Sequence, residues 1–261
     1  MIEAVRRGLG TAFWLGIAAV LLAGTGCAAP AVASGEGADD GADAGTVVLL
    51  HGLGRSASNM LILEWRLEAR GRRVCNIDYD TRVDRLEHAI DQVHESLLQC
   101  AAGARRIDFV THSLGGLVLR GLLERYPEPR AGRAVMLAPP NAGSEIADRL
   151  RQFGFLEAMM GPIAVQLGTR EQDLPQRLPA PPIPFGVIAG DRWLNPVGPL
   201  WLPAPHDGTV SVASTHLAGM SDHLVLPYTH TFIMNPGEVA HQIGVFLREG
   251  RFARAEEGRR R

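Results

Sequence analysis

Apolar positions along the chain fall into two kinds of block that alternate. Six are short runs: TVVLLHG (46–52), RVCNIDY (73–79), RIDFVTH (106–112), RAVMLAPP (133–140), PFGVIAGD (184–191) and DHLVLPY (222–228). Several are apolar without interruption, as strands buried on both faces require. Between them lie helical patterns. Residues 58–71 follow Ser58, a candidate N-cap, and stop at Gly71. Val83, Leu86, Ile90, Val93 and Leu97 share one helical face. Residues 114–126 form the next helix. Residues 235–247 form the last, with Asn235 as cap, Pro236 at its first position and Glu238 in its first turn. Alternation of this kind predicts an α/β domain: a mostly parallel, doubly wound sheet covered by helices on both faces. Residues 141–183 break the alternation and read as a small helical insertion.

The first 45 residues do not fit the pattern. Arg6 and Arg7, an apolar run over 12–23 and small residues afterwards describe an export signal over 1–33. The alternative is an uncleaved membrane anchor, for which the apolar core is short. As an export signal it has two possible exits. Ala31-Val32-Ala33 is an A-x-A cleavage site. Gly26-Cys27 resembles the end of a bacterial lipobox, with Gly24 where such boxes have Leu, and would place a lipid on Cys27. Residues 34–45 are small and acidic and read as a linker, the domain then covers 46–250, and an Arg/Glu-rich tail over 251–261 reads as frayed. Export changes the meaning of the remaining cysteines. Cys75 and Cys100 are an even pair in an oxidising compartment and can form a disulfide; the alternative is two buried thiols.

Composition removes some functions. The chain has 261 residues, 46% hydrophobic and 21% charged, enough for a real core. A net charge of −2 gives no basic field for nucleic acid. All 26 basic residues are Arg, so no Schiff-base or phosphate-loop lysine exists. No metal-ligand spacing appears, and neither a metal nor an organic cofactor is expected.

The chemistry centres on DFVTHSLGG (108–116), where a strand must turn sharply into a helix at Ser113. A turn of that kind strains its central residue and projects its side chain above the sheet, with helix N–H groups behind it. The stretch T-H-S-L-G resembles the nucleophile elbow G-x-S-x-G of the α/β-hydrolase family, in its lipase and esterase branch, with Thr111 replacing the first glycine. The resemblance makes Ser113 the nucleophile and Leu114 N–H one oxyanion donor. LLHGLG, closing the first strand, resembles the family's H-G loop and makes Leu53 N–H the second donor. The acid and then the histidine should follow the serine in the chain. His230, between the last strand and the last helix, stands where the family's catalytic histidine is found. HDGTV makes Asp207 the favoured acid, ahead of Asp191 just after the fifth strand and Asp222 at the start of the sixth.

The other histidines have structural expectations. His51 supports the oxyanion loop, His112 points away from the nucleophile into the elbow, His223 is structural, and His88, His94 and His241 sit on helices as surface or packing residues. The implied activity is a serine-dependent carboxylic ester hydrolase working through an acyl-enzyme on an ester or lipid. Acyl transfer on the same fold and a non-catalytic envelope-associated binding protein remain as alternatives. Implied location is outside the cytoplasm, in periplasm, envelope or medium, with membrane association through the signal or the Cys27 lipid. APPNAGSEIADRL (138–150) resembles the P-x-x-G-S segment of lipase relatives, just before their lid; Phe153, Phe155, Leu156, Met159 and Met160 of the insertion, with Trp201, suit an acyl chain or else pack the insertion on the sheet. One competitor comes from a different class. G-L-G-R-S-A (52–57) with Asp78 fits a dinucleotide fingerprint, but leaves the serine, aspartate and histidine segments unexplained.

Overall fold

A computed structural model describes residues 45–151, 155–194 and 198–254. The export signal, Cys27, most of the linker, Phe153 and the last seven residues lie outside the described residues, as do the side chains of Phe155, Leu156 and Met159. Six parallel strands form one sheet in the order β2-β1-β3-β4-β5-β6. They are β1 (Thr46–Leu50), β2 (Arg73–Ile77), β3 (Ile107–His112), β4 (Ala131–Leu137), β5 (Phe185–Gly190) and β6 (Asp222–Leu226). Helix α1 (Leu61–Glu68) follows a 3-10 turn at Ala57–Met60; α2 (Leu86–Cys100), α3 (Leu114–Arg125) and α8 (Gly237–Glu249) complete the frame. The insertion carries α4 (Glu145–Arg151), α5 (Phe155–Met160) and α6 (Leu174–Arg177), and α7 (Gly198–Trp201) follows β5.

Strand alternation divides the core in two. Val48, Leu50, Ile107 and Phe109 face α2 and α3. Val47, Leu49, Val110 and Val135 face α1 and α8. The order reverses between β1, which is followed outward by β2, and β3, which starts the march the other way. Ligands of open α/β sheets bind at the carboxyl ends of such a switch point. The H-G loop and Ser113 both sit there.

Cys75 and Cys100 form a disulfide that joins β2 to the last residue of α2 across a sequence separation of 25. Among the described residues no helix is long and apolar enough to cross a membrane.

Three local expectations need correction. The first helical segment is opened by Ser56, not Ser58: Ser56 and Asn59 form a reciprocal capping box around the 3-10 turn. Pro236 takes the N-cap position of α8 in an extended conformation (φ −66°, ψ 143°); Asn235 stands one residue before it, its N–H bonded to the Phe232 carbonyl at 3.0 Å. The tail is anchored through Arg254. Phe252 is buried against Phe246, and the Phe252 N–H donates to Asp222 Oδ2 at 2.8 Å. One aromatic side chain in a charged stretch found a place in the core and carried its neighbours with it.

Candidate active site

Ser113 is a non-glycine residue at positive φ (φ 53°, ψ −119°) between β3 and α3. Such a conformation costs on the order of 1–3 kcal/mol and persists only where the surroundings over-determine it. Here they do. The Ser113 N–H is held by the Leu137 carbonyl of β4 at 2.9 Å, and its own carbonyl accepts the Gly116 N–H at 3.0 Å. Behind the serine there is no space. A methyl on Gly115 would come within 2.5 Å of the Leu50 carbonyl oxygen, so α3 and β1 meet backbone to backbone. Thr111 stands in place of the usual first glycine and is fully buried; the neighbouring Gly116 packs closely on β4's exit, where a Cβ would stand 3.1 Å from Pro139 Cβ.

The three residues expected from the sequence converge. His230 Nε2 lies 3.0 Å from Ser113 Oγ, and His230 Nδ1 lies 2.7 Å from Asp207 Oδ2. Asp207 is 2% exposed, and its other oxygen accepts the N–H groups of Thr209 at 2.9 Å and Val210 at 2.8 Å. With both oxygens occupied, the carboxylate is fixed rather than merely near. The His230 N–H donates to the Asp207 carbonyl at 3.1 Å, which ties the two loops together. Gly190 at the end of β5 allows this approach, since a Cβ there would meet Asp207 Cβ at 2.9 Å. Asp191 is elsewhere: its N–H bonds the Leu226 carbonyl at 3.1 Å and its carboxylate pairs with Arg192 at 2.9 Å. Asp222 is engaged with Phe252 and Arg254.

The H-G loop lies against the serine. A Cβ on Gly52 would stand 3.1 Å from Ser113 Cβ and 3.0 Å from His112 Nδ1, so this loop packs tightly on the elbow. Gly54 takes a positive φ of 63°, and its N–H donates to Thr81 Oγ1 at 2.9 Å, which closes the loop. Leu114 is the first residue of α3, where N–H groups have no partner within the helix. His51 supports the loop as expected: its ring is fully buried, stacks on Tyr79 at 4.3 Å, and contacts the Gly52 carbonyl at 3.1 Å.

His112 has a larger role than the sequence suggested. Its Nε2 donates to the His230 carbonyl at 2.9 Å, and the two rings are 4.9 Å apart. It therefore props the loop that carries His230, as well as filling the elbow. Burial, with the neighbouring His230 second, holds its pKa well below the ordinary value of 6.5. The native state thus keeps His112 neutral where the unfolded chain protonates it. Stability from this group is intact above about pH 6.5 and declines as pH falls below that. Chemical denaturation at pH 7 and pH 5 is expected to show lower stability at pH 5, with a smaller difference in His112→Gln.

The dinucleotide reading gains no support from the geometry of the turn, whose N–H groups bond to side chains of this chain. Asp78 Oδ1 accepts the Ala57 N–H at 2.8 Å, and the Ser56 N–H goes to Asn59 Oδ1 at 3.4 Å.

His223 is structural, as expected. Its Nε2 meets Thr215 Oγ1 at 2.9 Å, and burial lowers its pKa to about 4. The exposed His88 side chain pairs with Asp84 at 2.9 Å, and His94 stacks on Tyr126 at 3.8 Å. Met160 of α5 approaches the H-G loop, within 3.3 Å of a Cβ on Gly54, so the insertion reaches the edge of the candidate site.

Two residues escaped the sequence reading. Arg120, 1% exposed, lies two turns along α3 from Ser113 and donates to the carbonyls of Pro179 at 2.9 Å, Asn141 at 3.2 Å, Pro175 at 2.8 Å and also Leu178. It ties both ends of the insertion to the helix behind the serine. Burial brings its pKa down to about 10, still far above neutrality. An arginine inside the apolar run GGLVLRGLL was the available signal. Glu145, which bonds the loop after Asp207, gave no sequence signal.

Comparison with solved structures identifies the same architecture. The mature lipase of Bacillus licheniformis superposes with a TM-score of 0.66 at 18% identity, covering 80% of this chain and 93% of the lipase. A metagenomic carboxyl esterase gives a TM-score of 0.61 at 16% identity, covering 80% and 76%. An extracellular α/β-hydrolase from a Paenibacillus species gives 0.52 at 16% identity, covering 77% and 97%. No curated protein sequence matches. The model of the DUF7379 domain, a domain of unknown function, matches residues 29–169, more than half of the 261 residues. The chain therefore has the α/β-hydrolase fold and belongs to the DUF7379 family.

Proposed function

We propose that the protein is a serine-dependent carboxylic ester hydrolase of the lipase and esterase type. The observation that carries this is the unbroken line from Ser113 Oγ through His230 to Asp207, with contacts of 3.0 and 2.7 Å. Ser113 attacks the ester carbonyl while His230 Nε2 takes its proton. Asp207 keeps Nδ1 protonated and stabilises the imidazolium. The N–H groups of Leu53 and Leu114 receive the oxyanion, worth about 3 kcal/mol of barrier for one donor. His230 then returns the proton to the leaving alcohol, and water repeats the sequence on the acyl-enzyme.

Exposed apolar side chains around the acid and histidine loops support an apolar acyl group. Trp193 stands 6.1 Å from the ring of His206, next to Asp207, and Phe232 follows His230 by two residues and is 54% exposed. Insertion residues 141–183 act as a lid in this reading. Export is the companion proposal, through cleavage at Ala33 or a lipid on Cys27, and the Cys75–Cys100 disulfide supports an oxidising compartment.

The test is hydrolysis of p-nitrophenyl esters of increasing chain length. Turnover well above the uncatalysed rate on at least one member is expected. Background rates across the whole series would overturn the reading.

A further inference from the structure

The loop that carries Asp207 is short and tightly closed. An isolated antiparallel bridge pairs His206 with Ser211, with Asp207 and Gly208 (φ 96°) between them. What holds this loop from outside is the start of the insertion. Glu145, the first residue of α4, accepts Ser211 Oγ at 3.1 Å and Ser214 Oγ at 3.4 Å on one oxygen. Ser211 Oγ in turn accepts the Ser214 N–H at 3.1 Å, so one carboxylate oxygen and two hydroxyls form a closed clasp. Ser144 Oγ donates to the Thr209 carbonyl at 3.2 Å, and the Ala142 N–H to the Ser214 carbonyl at 2.8 Å. On its other side the same segment is tied to α3, the helix that begins after Ser113, through the Asn141 carbonyl and Arg120 at 3.2 Å.

Residues 141–145 thus bridge the element that carries the serine and the loop that carries the acid. Glu145 is the charged member of that bridge. Its second oxygen is buried without a hydrogen-bond partner among the described residues. A buried carboxylate oxygen left without a donor is costly, and such groups are rare in native structures.

We propose that Glu145 is a positioning residue: through Ser211 and Ser214 it holds the loop of Asp207 at the distance His230 requires. The inference rests on Ser113, His230 and Asp207 acting as a triad. It adds that the insertion is part of the machinery that sets triad geometry, in addition to any part in covering the site. Residues that orient a functional group from behind commonly change activity by about ten-fold or more.

The test uses the full chain as Glu145→Ala, Glu145→Gln and Ser211→Ala. Each is read by the rate at which a fluorophosphonate labels Ser113, by kcat and KM on the best ester, and by Tm. Labelling rate and kcat are expected to fall about ten-fold in Glu145→Ala and Ser211→Ala, with KM changed by less than about two-fold. Glu145→Gln, whose amide oxygen still accepts from both hydroxyls, should keep most of the wild-type rates. If Glu145→Ala does not fold, Ser211→Ala carries the comparison. Wild-type labelling and kcat in a folded Glu145→Ala or Ser211→Ala, with only Tm lowered, would overturn the proposal, as would Glu145→Gln as slow as Glu145→Ala. A wild type that labels at Ser113 but turns over no ester would overturn the ester reading alone, since the labelling rates still decide the role of Glu145.

Discussion

Ser113→Ala is expected to lower kcat on the preferred ester by about a million-fold, to the small residue of rate left by substrate binding and the oxyanion donors. The variant should fold. Alanine removes one hydroxyl and leaves the φ of 53° that the backbone imposes, held by the Leu137 carbonyl and by the contact of Gly115 with β1. His230→Ala should cost about as much, and the double variant little more than either single one. A nucleophile without its base and a base without its nucleophile do equally little. Steady-state kinetics on the four proteins, with circular dichroism to show that each is folded, checks this. Additive losses would mean that the two residues do not work as a unit.

Asp207→Asn should lower kcat by about 10⁴ with KM little changed. The carboxylate is 2% exposed and 2.7 Å from Nδ1, while its other oxygen takes two backbone N–H groups. Asparagine preserves the shape of this arrangement. It can turn its oxygen toward the Thr209 and Val210 N–H groups, and it then presents an NH₂ group to Nδ1. The imidazole must answer with the other tautomer, which puts its proton on Nε2, facing the serine hydroxyl it should deprotonate. Asp191→Asn is the control. That carboxylate pairs with Arg192 at the surface, and its loss should change kcat by less than about two-fold. Kinetics on both variants separate the two acids. Equal losses, or a larger loss at Asp191, would reverse the assignment.

The frame was legible because the burial it needs is written locally. TVVLL at β1 and FGVIAG at β5 are buried throughout, and a strand buried on both faces must read as a continuous apolar run. Ser113 was legible for a similar reason, since a strand that turns at once into a helix needs small residues on the helical side. Asp207 was readable only through the HDGTV segment. Its preference over Asp191 depends on loop closure around Gly208 and on the space at Gly190, neither of which has a periodic signature. Helix starts are offset by one or two residues because several capping residue types stand side by side there: the capping box ahead of α1 belongs to Ser56 and Asn59, while Ser58 only shares a hydroxyl contact of 2.7 Å with Ser56 Oγ. Arg120 and Glu145 remained hidden because their partners are main-chain carbonyls and serine hydroxyls in loops far away in the chain. Their importance exists only once the fold has brought those loops together. His112 lay between the two cases. Its place beside Ser113 was evident, but its bond to the His230 carbonyl spans 118 residues.

The most direct measurement is the intact mass of the protein after brief exposure to a fluorophosphonate, with the adduct located by peptide mapping. A hydroxyl that is merely polar hardly reacts, whereas one relayed through an imidazole to a buried carboxylate does. One adduct per chain on Ser113, absent from Ser113→Ala and strongly slowed in His230→Ala, is the predicted result. An unlabelled wild type, or an adduct at another serine, would contradict it.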